Sequence, residues 1–136
     1  MLAQVCGGIL GVLAAHVMFE HPLIVPSTTI RSGVGQWVGN FVATFGLVGT
    51  ILACIKARPT AVPMAVGLYI TAAYWFTSST SFTNPAVTIA RGFSNTFAGI
   101  APSDVLAFIG VQLLAATLAT WFFHWLLKDK TGGCGL

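Results

Sequence analysis

Four stretches of this chain are apolar over nearly the length that a helix needs to cross a bilayer. Leu2 to Phe19 is interrupted only by Gln4 and His16 and stops at the polar run Glu20-His21-Pro22. Gln36 to Ile55 follows a loop containing Pro26, Ser27, Thr28 and Arg31, and closes at Lys56-Ala57-Arg58-Pro59. Val62 to about Thr77 is a third, shorter stretch, and Val105 to Leu127 is the fourth. A spanning helix takes about 20 mostly apolar residues, so the chain of 136 residues is expected to form an all-α membrane protein with four spans. Composition agrees, since 56% of the residues are hydrophobic and 7% charged, against about 25% charged in a soluble domain. The first stretch has no basic leader and no small-residue cleavage site, so it is read as a retained span rather than a secretory signal. Residues 1–136 are thus expected to form a single transmembrane domain.

The few charged residues exclude several functions. The six Lys and Arg are scattered singly or in pairs and give a net charge of +3 without a basic face, so no nucleic-acid partner is expected. Three acidic residues, all outside the spans, and no paired His and carboxylate argue against an embedded enzyme. Cys6 and Cys54 fall inside spans, where packing is their expected role, and Cys134 falls in a Gly-rich tail; no ligand spacing implies a metal or cofactor. Lys56 and Arg58, with Lys128 and Lys130, flank the spans on one side, which the positive-inside rule makes cytoplasmic. Glu20, Arg31, Arg91 and Asp104 then belong to the opposite side.

Between the third and fourth spans, Ser78 to Asp104 is too weakly charged for a solvated loop and too polar to span. A re-entrant segment fits, because irregular backbone at membrane depth is tolerated where protein buries it or where it lines water. Within it Asn84 is placed as a helix cap, Pro85 suits the first helical position, and Ala86 to Arg91 continues as a short half-helix. The positive end of that half-helix would repel cations, while the Asn84 carboxamide could donate to a passing solute oxygen. Asn-Pro-Ala is also a common turn tripeptide, and only its place between long apolar spans raises it above that. Ser103, after Pro102, is expected to cap the fourth span. Gln4-Val5-Cys6-Gly7-Gly8-Ile9-Leu10-Gly11 aligns with Gln112-Leu113-Leu114-Ala115-Ala116-Thr117-Leu118-Ala119 on a helix crossing the other way. Antiparallel copies of this kind mark inverted-repeat transport proteins, although small residues also recur in membrane helices for close packing.

Thr83-Asn84-Pro85-Ala86-Val87-Thr88-Ile89-Ala90-Arg91-Gly92 resembles the second Asn-Pro-Ala segment of the major intrinsic protein (aquaporin) family. Gln36 to Phe45 resembles its fourth helix, Pro63 to Leu68 its fifth, Gln112 with its small neighbours its sixth, and Gln4 with Gly7, Gly8 and Gly11 its third. The resemblance covers nearly the whole chain. It implies an aquaporin-like inverted-repeat helical bundle, here truncated, with four spans plus one re-entrant half-helix; the first two helices and the first Asn-Pro-Ala segment are absent. It also implies a facilitative channel for small neutral solutes in a lipid bilayer, homotetrameric when full-length, with Asn84, Pro85 and Ala86 as the pore motif.

Three departures from the family pattern refine that expectation. Val87 stands where an Arg usually narrows the selectivity filter, and a branched aliphatic group there widens the constriction and removes charge and donors. Counting along the fifth helix from Pro63 puts Tyr74 where strict water channels carry His, whereas counting back from Asn84 gives Ala72. Asn40 replaces a buried Glu that supports the re-entrant loop, and an amide still accepts through its carbonyl, without charge assistance. Val87, Tyr74 and the Ser/Thr-rich approach are similar to a bacterial subgroup of aquaglyceroporin-like channels associated with arsenic resistance, whose solute is neutral trihydroxy arsenite. Water and glycerol would also suit such a filter. Ser81 and Thr83 are candidates for its entrance, and equally for local turn chemistry. Arg91 lies one helical turn beyond Val87, so it does not simply replace the missing filter Arg and is expected to reach the outer interface. His16 and His124 are read as packed or interfacial, and Trp37, Trp75, Trp121 and Trp125 as packing or interface anchors. A competing reading is a small helical membrane protein acting by helix-helix association through Gly and Ala faces.

Overall fold

A computed structural model describes residues 2–128. Lys130 and Cys134 lie outside the described residues. Among those described there are helices and no strands: α1 (Leu2–Met18), α2 (Val34–Ala57), a 3-10 turn (Pro59–Ala61), α3 (Val62–Phe76), α4 (Pro85–Arg91) and α5 (Pro102–Leu126). α2 and α5, with 24 and 25 residues, are long and apolar enough to cross a membrane. α1 has 17 residues and α3 has 15, so at 1.5 Å per residue they reach about 26 and 22 Å against a hydrocarbon core about 30 Å thick. Large apolar side chains face away from the protein along these helices. Leu2, Trp75 and Leu106 are each at least 80% exposed, as expected of a surface solvated by lipid.

The helix ends follow local chemistry. α3 stops where Thr77 turns extended and its hydroxyl donates to the Ala73 carbonyl at 2.6 Å. α4 starts at Pro85, which needs no N–H partner, behind Asn84, whose Oδ1 accepts from the Ala86 amide at 2.8 Å. The start of α5 differs from the expected Ser103 cap. Pro102 takes the first helical position, so Ala101 becomes the capping residue, and the Ser103 hydroxyl donates to Asp104 Oδ1 instead.

α2 packs against α5 and α3, and α4 lies between α1 and α5. The α2–α5 seam is closed by small residues: Ala43, Gly49, Ala115 and Ala119 are all buried. A Cβ on Gly49 would run into the ring of Phe123, and Phe45 rests on Phe122 and Phe123 with ring centroids 5.9 and 5.6 Å away. A second core sits beside α4, where Phe82, Ile100 and Phe108 are buried together and the Phe82 and Phe108 rings meet edge to face at 5.2 Å.

The loops at that end are tied to one another. Ser27 N–H donates to the Gly92 carbonyl and Ala101 N–H to that of Thr29. Arg31, 4% exposed, donates from Nε to Gly99 O and from Nη2 to Phe97 O, both at 2.6 Å, while its backbone N–H donates to Asp104 Oδ2 at 2.7 Å. Burial pushes its guanidinium down from the ordinary arginine range. Lys56 Nζ donates to the Leu127 carbonyl at the other end of the molecule. Cys6 is exposed, so it does not pack within the chain as expected, whereas Cys54 is half-buried. All four Trp side chains are exposed, which leaves the surface, not the core, as their place.

Candidate functional site

The site is built around α4. The chain enters it through Thr77 to Thr83, where Thr80, Ser81 and Thr83 hold positive φ values of 53°, 51° and 45°. Left-handed backbone at residues other than glycine is costly and persists where surrounding contacts fix it. Here Ser81 N–H donates to Thr77 Oγ1 at 3.2 Å, and Arg91 Nη1 donates to the Thr80 carbonyl at 3.0 Å. This turn delivers Asn84 to the start of α4. Ser81 is 3% exposed and its hydroxyl has no hydrogen-bond partner among the described residues, while Thr83 is half-buried.

The Asn84 carboxamide is divided in function. Oδ1 is turned back to the Ala86 amide, and Nδ2 donates to no protein group among the described residues. Its backbone carbonyl accepts from Thr88 Oγ1 at 3.0 Å. Thr88 in turn accepts from Gln112 Nε2 at 2.9 Å, and the same Nε2 donates to Asn40 Oδ1 at 3.3 Å. Asn40 is fully buried and donates from Nδ2 to the Phe108 carbonyl at 3.0 Å. Asn40 therefore reaches α4 through Gln112. Gln112 is the residue that joins three helices, and the sequence pointed to it only as a repeat and helix match.

Val87 and Arg91 line a cleft of about 740 Å³ between α1 and α4, together with Gly8, Val12, His16 and Phe97. Tyr74 is not on that wall but touches it, its ring 6.0 Å from Phe97 and 5.6 Å from the Arg91 guanidinium. Ala72, the alternative at this position, is exposed on α3. Arg91 is half-buried. Its guanidinium folds back over Phe82 at 4.6 Å and over Tyr74, because the left-handed turn places the Thr80 carbonyl within its reach. Pro85 is half-buried and Ala86 is buried, and a Cβ on Gly8 would stand 3.0 Å from that of Ala90, which marks the closest approach of α1 to α4.

At the far end of the cleft His16, 3% exposed, binds the Leu23 carbonyl through Nδ1 at 3.0 Å and Ser94 Oγ through Nε2 at 2.9 Å. A carbonyl only accepts, so Nδ1 carries the proton, and in the neutral ring Nε2 accepts from Ser94. His16 is thus packed and hydrogen-bonded, whereas His124 is exposed on α5. No group of His, Cys, Asp and Glu that could hold a metal ion is found among the described residues.

Over 128 residues, which make up 94% of this chain, the sequence is 53% identical to Aquaglyceroporin AqpS of Rhizobium meliloti (strain 1021). The chain spans 55% of the length of that relative. No protein-family model matches the chain, and no solved structure does so.

Proposed function

We propose that this chain, which is similar over nearly its whole length to about half of an aquaglyceroporin, is an aquaglyceroporin segment that forms part of the wall of a channel passing small uncharged polar solutes. The solutes are water, glycerol and neutral trihydroxy arsenite. The proposed reading makes it a multi-pass membrane protein and not an enzyme.

In the proposed arrangement α1, α2, α3 and α5 cross the bilayer and α4 is a re-entrant half-helix. α3 with its preceding 3-10 turn extends to about 28 Å, and a small mismatch with the hydrocarbon core is taken up by local thinning. Asn84 Nδ2 is the observation that carries the reading. An amide donor with no partner among the described residues, on a residue whose other side-chain atom is committed to capping, is suited to orient a passing solute oxygen without retaining it. Pro85 and Ala86 set its position. Val87 and Tyr74 shape a wide filter, Ser81 and Thr83 form the strained turn before it, and Asn40 supports the half-helix through Gln112. The full-length channel is expected to be a homotetramer.

A chimera tests this: the Rhizobium meliloti relative with its matching segment replaced by that of this chain. Vesicles bearing it should equilibrate glycerol faster than protein-free vesicles, and arsenite uptake should follow. A chimera that folds but gives no flux above the protein-free level would contradict the reading. The chain alone supplies one wall of a pore and is expected to conduct nothing. A second reading, helix-helix association, is favoured by one observation, that Gly7 on α1 is exposed, has nothing within 4 Å of where a side chain would stand, and does not line the cleft.

A further inference from the structure

The two ends of the molecule use their cations differently. At the end that holds the turn before α4, Arg31 and Arg91 fold inward and donate to the carbonyls of Gly99, Phe97 and Thr80. At the other end, where α2 and α5 finish, Lys56, Arg58 and Lys128 are all exposed. Lys56 Nζ donates to the Leu127 carbonyl and ties the ends of α2 and α5 together beside a groove of about 400 Å³. Lys56, His124 and Lys128 line this groove together with Leu52, Ile55 and Phe123. Leu52 lies four residues before Lys56 and Phe123 five before Lys128, so at 1.5 Å per residue the apolar wall reaches about 6 to 8 Å further toward the middle of the molecule than the ammonium groups. No Asp or Glu lines the groove, and the acids among the described residues, Glu20 and Asp104, belong to the opposite end. Asp129 lies outside the described residues, and in the sequence it stands against Lys56, Arg58, Lys128 and Lys130.

This order of groups selects an occupant by shape as well as by charge. A phosphate ion would meet the cations and leave the apolar wall uncovered, whereas a hydrocarbon chain would cover the wall and leave the cations unanswered. An amphiphile with an anionic head matches both. Trp121 and Trp125, 73% and 65% exposed, lie within two turns of Lys128 on α5, as indole rings do at a membrane interface. The basic residues make this the cytoplasmic side, whose leaflet carries the anionic lipids.

We propose that the groove between the ends of α2 and α5 binds an anionic glycerophospholipid. Lys56 and Lys128 hold its phosphate, His124 offers a further N–H, and its acyl chain lies on Leu52, Ile55 and Phe123. The inference rests on α2 and α5 crossing the bilayer, as in the reading above, and is independent of the pore.

The experiment uses the full chain in phosphatidylcholine vesicles, with Trp37→Phe and Trp75→Phe so that Trp121 and Trp125 report alone. Phosphatidylglycerol or phosphatidylcholine brominated on the acyl chains quenches these two according to its occupancy beside them. At about 0.15 M salt, where the Debye length is about 8 Å, phosphatidylglycerol should be favoured by roughly tenfold. Lys56→Arg with Lys128→Arg should keep that ratio, and Lys56→Gln with Lys128→Gln should bring it to within about twofold of unity. Arg58→Gln removes a charge from the same end but not from the groove, and should change the ratio by less than about twofold. If the double Gln variant loses its helical circular dichroism, Lys128→Gln alone, which spares the Lys56 contact, should lower the ratio about threefold.

Equal quenching by the two lipids, a preference that survives both Gln substitutions, or an Arg58→Gln loss as large as that of Lys128→Gln would each overturn the proposal. Displacement of the lipid by soluble glycerol phosphate at matching concentration would make this a phosphate site and overturn the lipid. Quenching by neither lipid would remove the spanning arrangement and the site together. A chimera without solute flux that still prefers phosphatidylglycerol would refute the pore reading and leave the lipid site standing.

Discussion

The α2–α5 seam and the α1–α4 seam are both built on small residues, yet one is closed and the other opens into a cleft. Along α2 and α5 the rings of Phe45, Phe122 and Phe123 fill the space that Gly49 leaves, and the Asn40–Gln112 amide pair is sealed inside. Along α1 and α4, Gly8 meets Ala90 at one point, while Gly11, on the same cleft wall, has nothing within 4 Å. Small residues permit helices to approach; large side chains and paired amides decide whether the approach is completed. Where the facing groups are Arg91, His16 and Ser94, polar and held by the loops, the seam stays open.

Substitutions that should break the closed seam and spare the open one sharpen this contrast. The largest effect is expected at Gly49→Leu, where the new side chain must displace the Phe123 ring. Reversible unfolding in mixed micelles should show a loss of about 3 kcal/mol. Gln112→Leu removes the donor that serves both Asn40 and Thr88, leaving two buried acceptors unpaired, and should cost about 2 kcal/mol by the same measurement. On the open side, Gly8→Val strikes the Ala90 methyl but can relax into the cleft, so about 1 kcal/mol is expected. The smallest effect belongs to Gln4→Leu. Gln4 aligns with Gln112 in the repeat but is exposed on α1, and its replacement should stay within about 0.5 kcal/mol. If the two glutamines cost the same, the seams do not differ as described.

What could be read from the sequence follows the range of the interactions. The start of α4 was legible because a cap is local: Asn84, Pro85 and the Ala86 amide lie within three residues. The ends of α1 and α3 were legible for the same reason, through Glu20-His21-Pro22 and the Ser/Thr run. Ser103 misled because Pro102 competes for the first helical position and wins, its φ already being helical. Asn40 was legible as a buried amide, but its partner was not, because Gln112 and Thr88 come from two other helices far along the chain. The partners of Arg91 were hidden for a related reason. Its direction is set by a turn in which Thr80, Ser81 and Thr83 adopt left-handed backbone, and nothing in a Ser/Thr run announces that.

The central claim is that Asn84 sits deep in the membrane beside water, and depth together with aqueous access tests it most directly. In the chain freed of its own cysteines, a probe attached to Asn84→Cys is located by quenchers placed at known depths in the lipid tails. The same thiol is offered a small water-soluble reagent. The expected result is a probe in roughly the middle third of a hydrocarbon core about 30 Å thick whose thiol nonetheless reacts from water. A probe at headgroup level, or one at the midplane that no aqueous reagent reaches, would contradict the account.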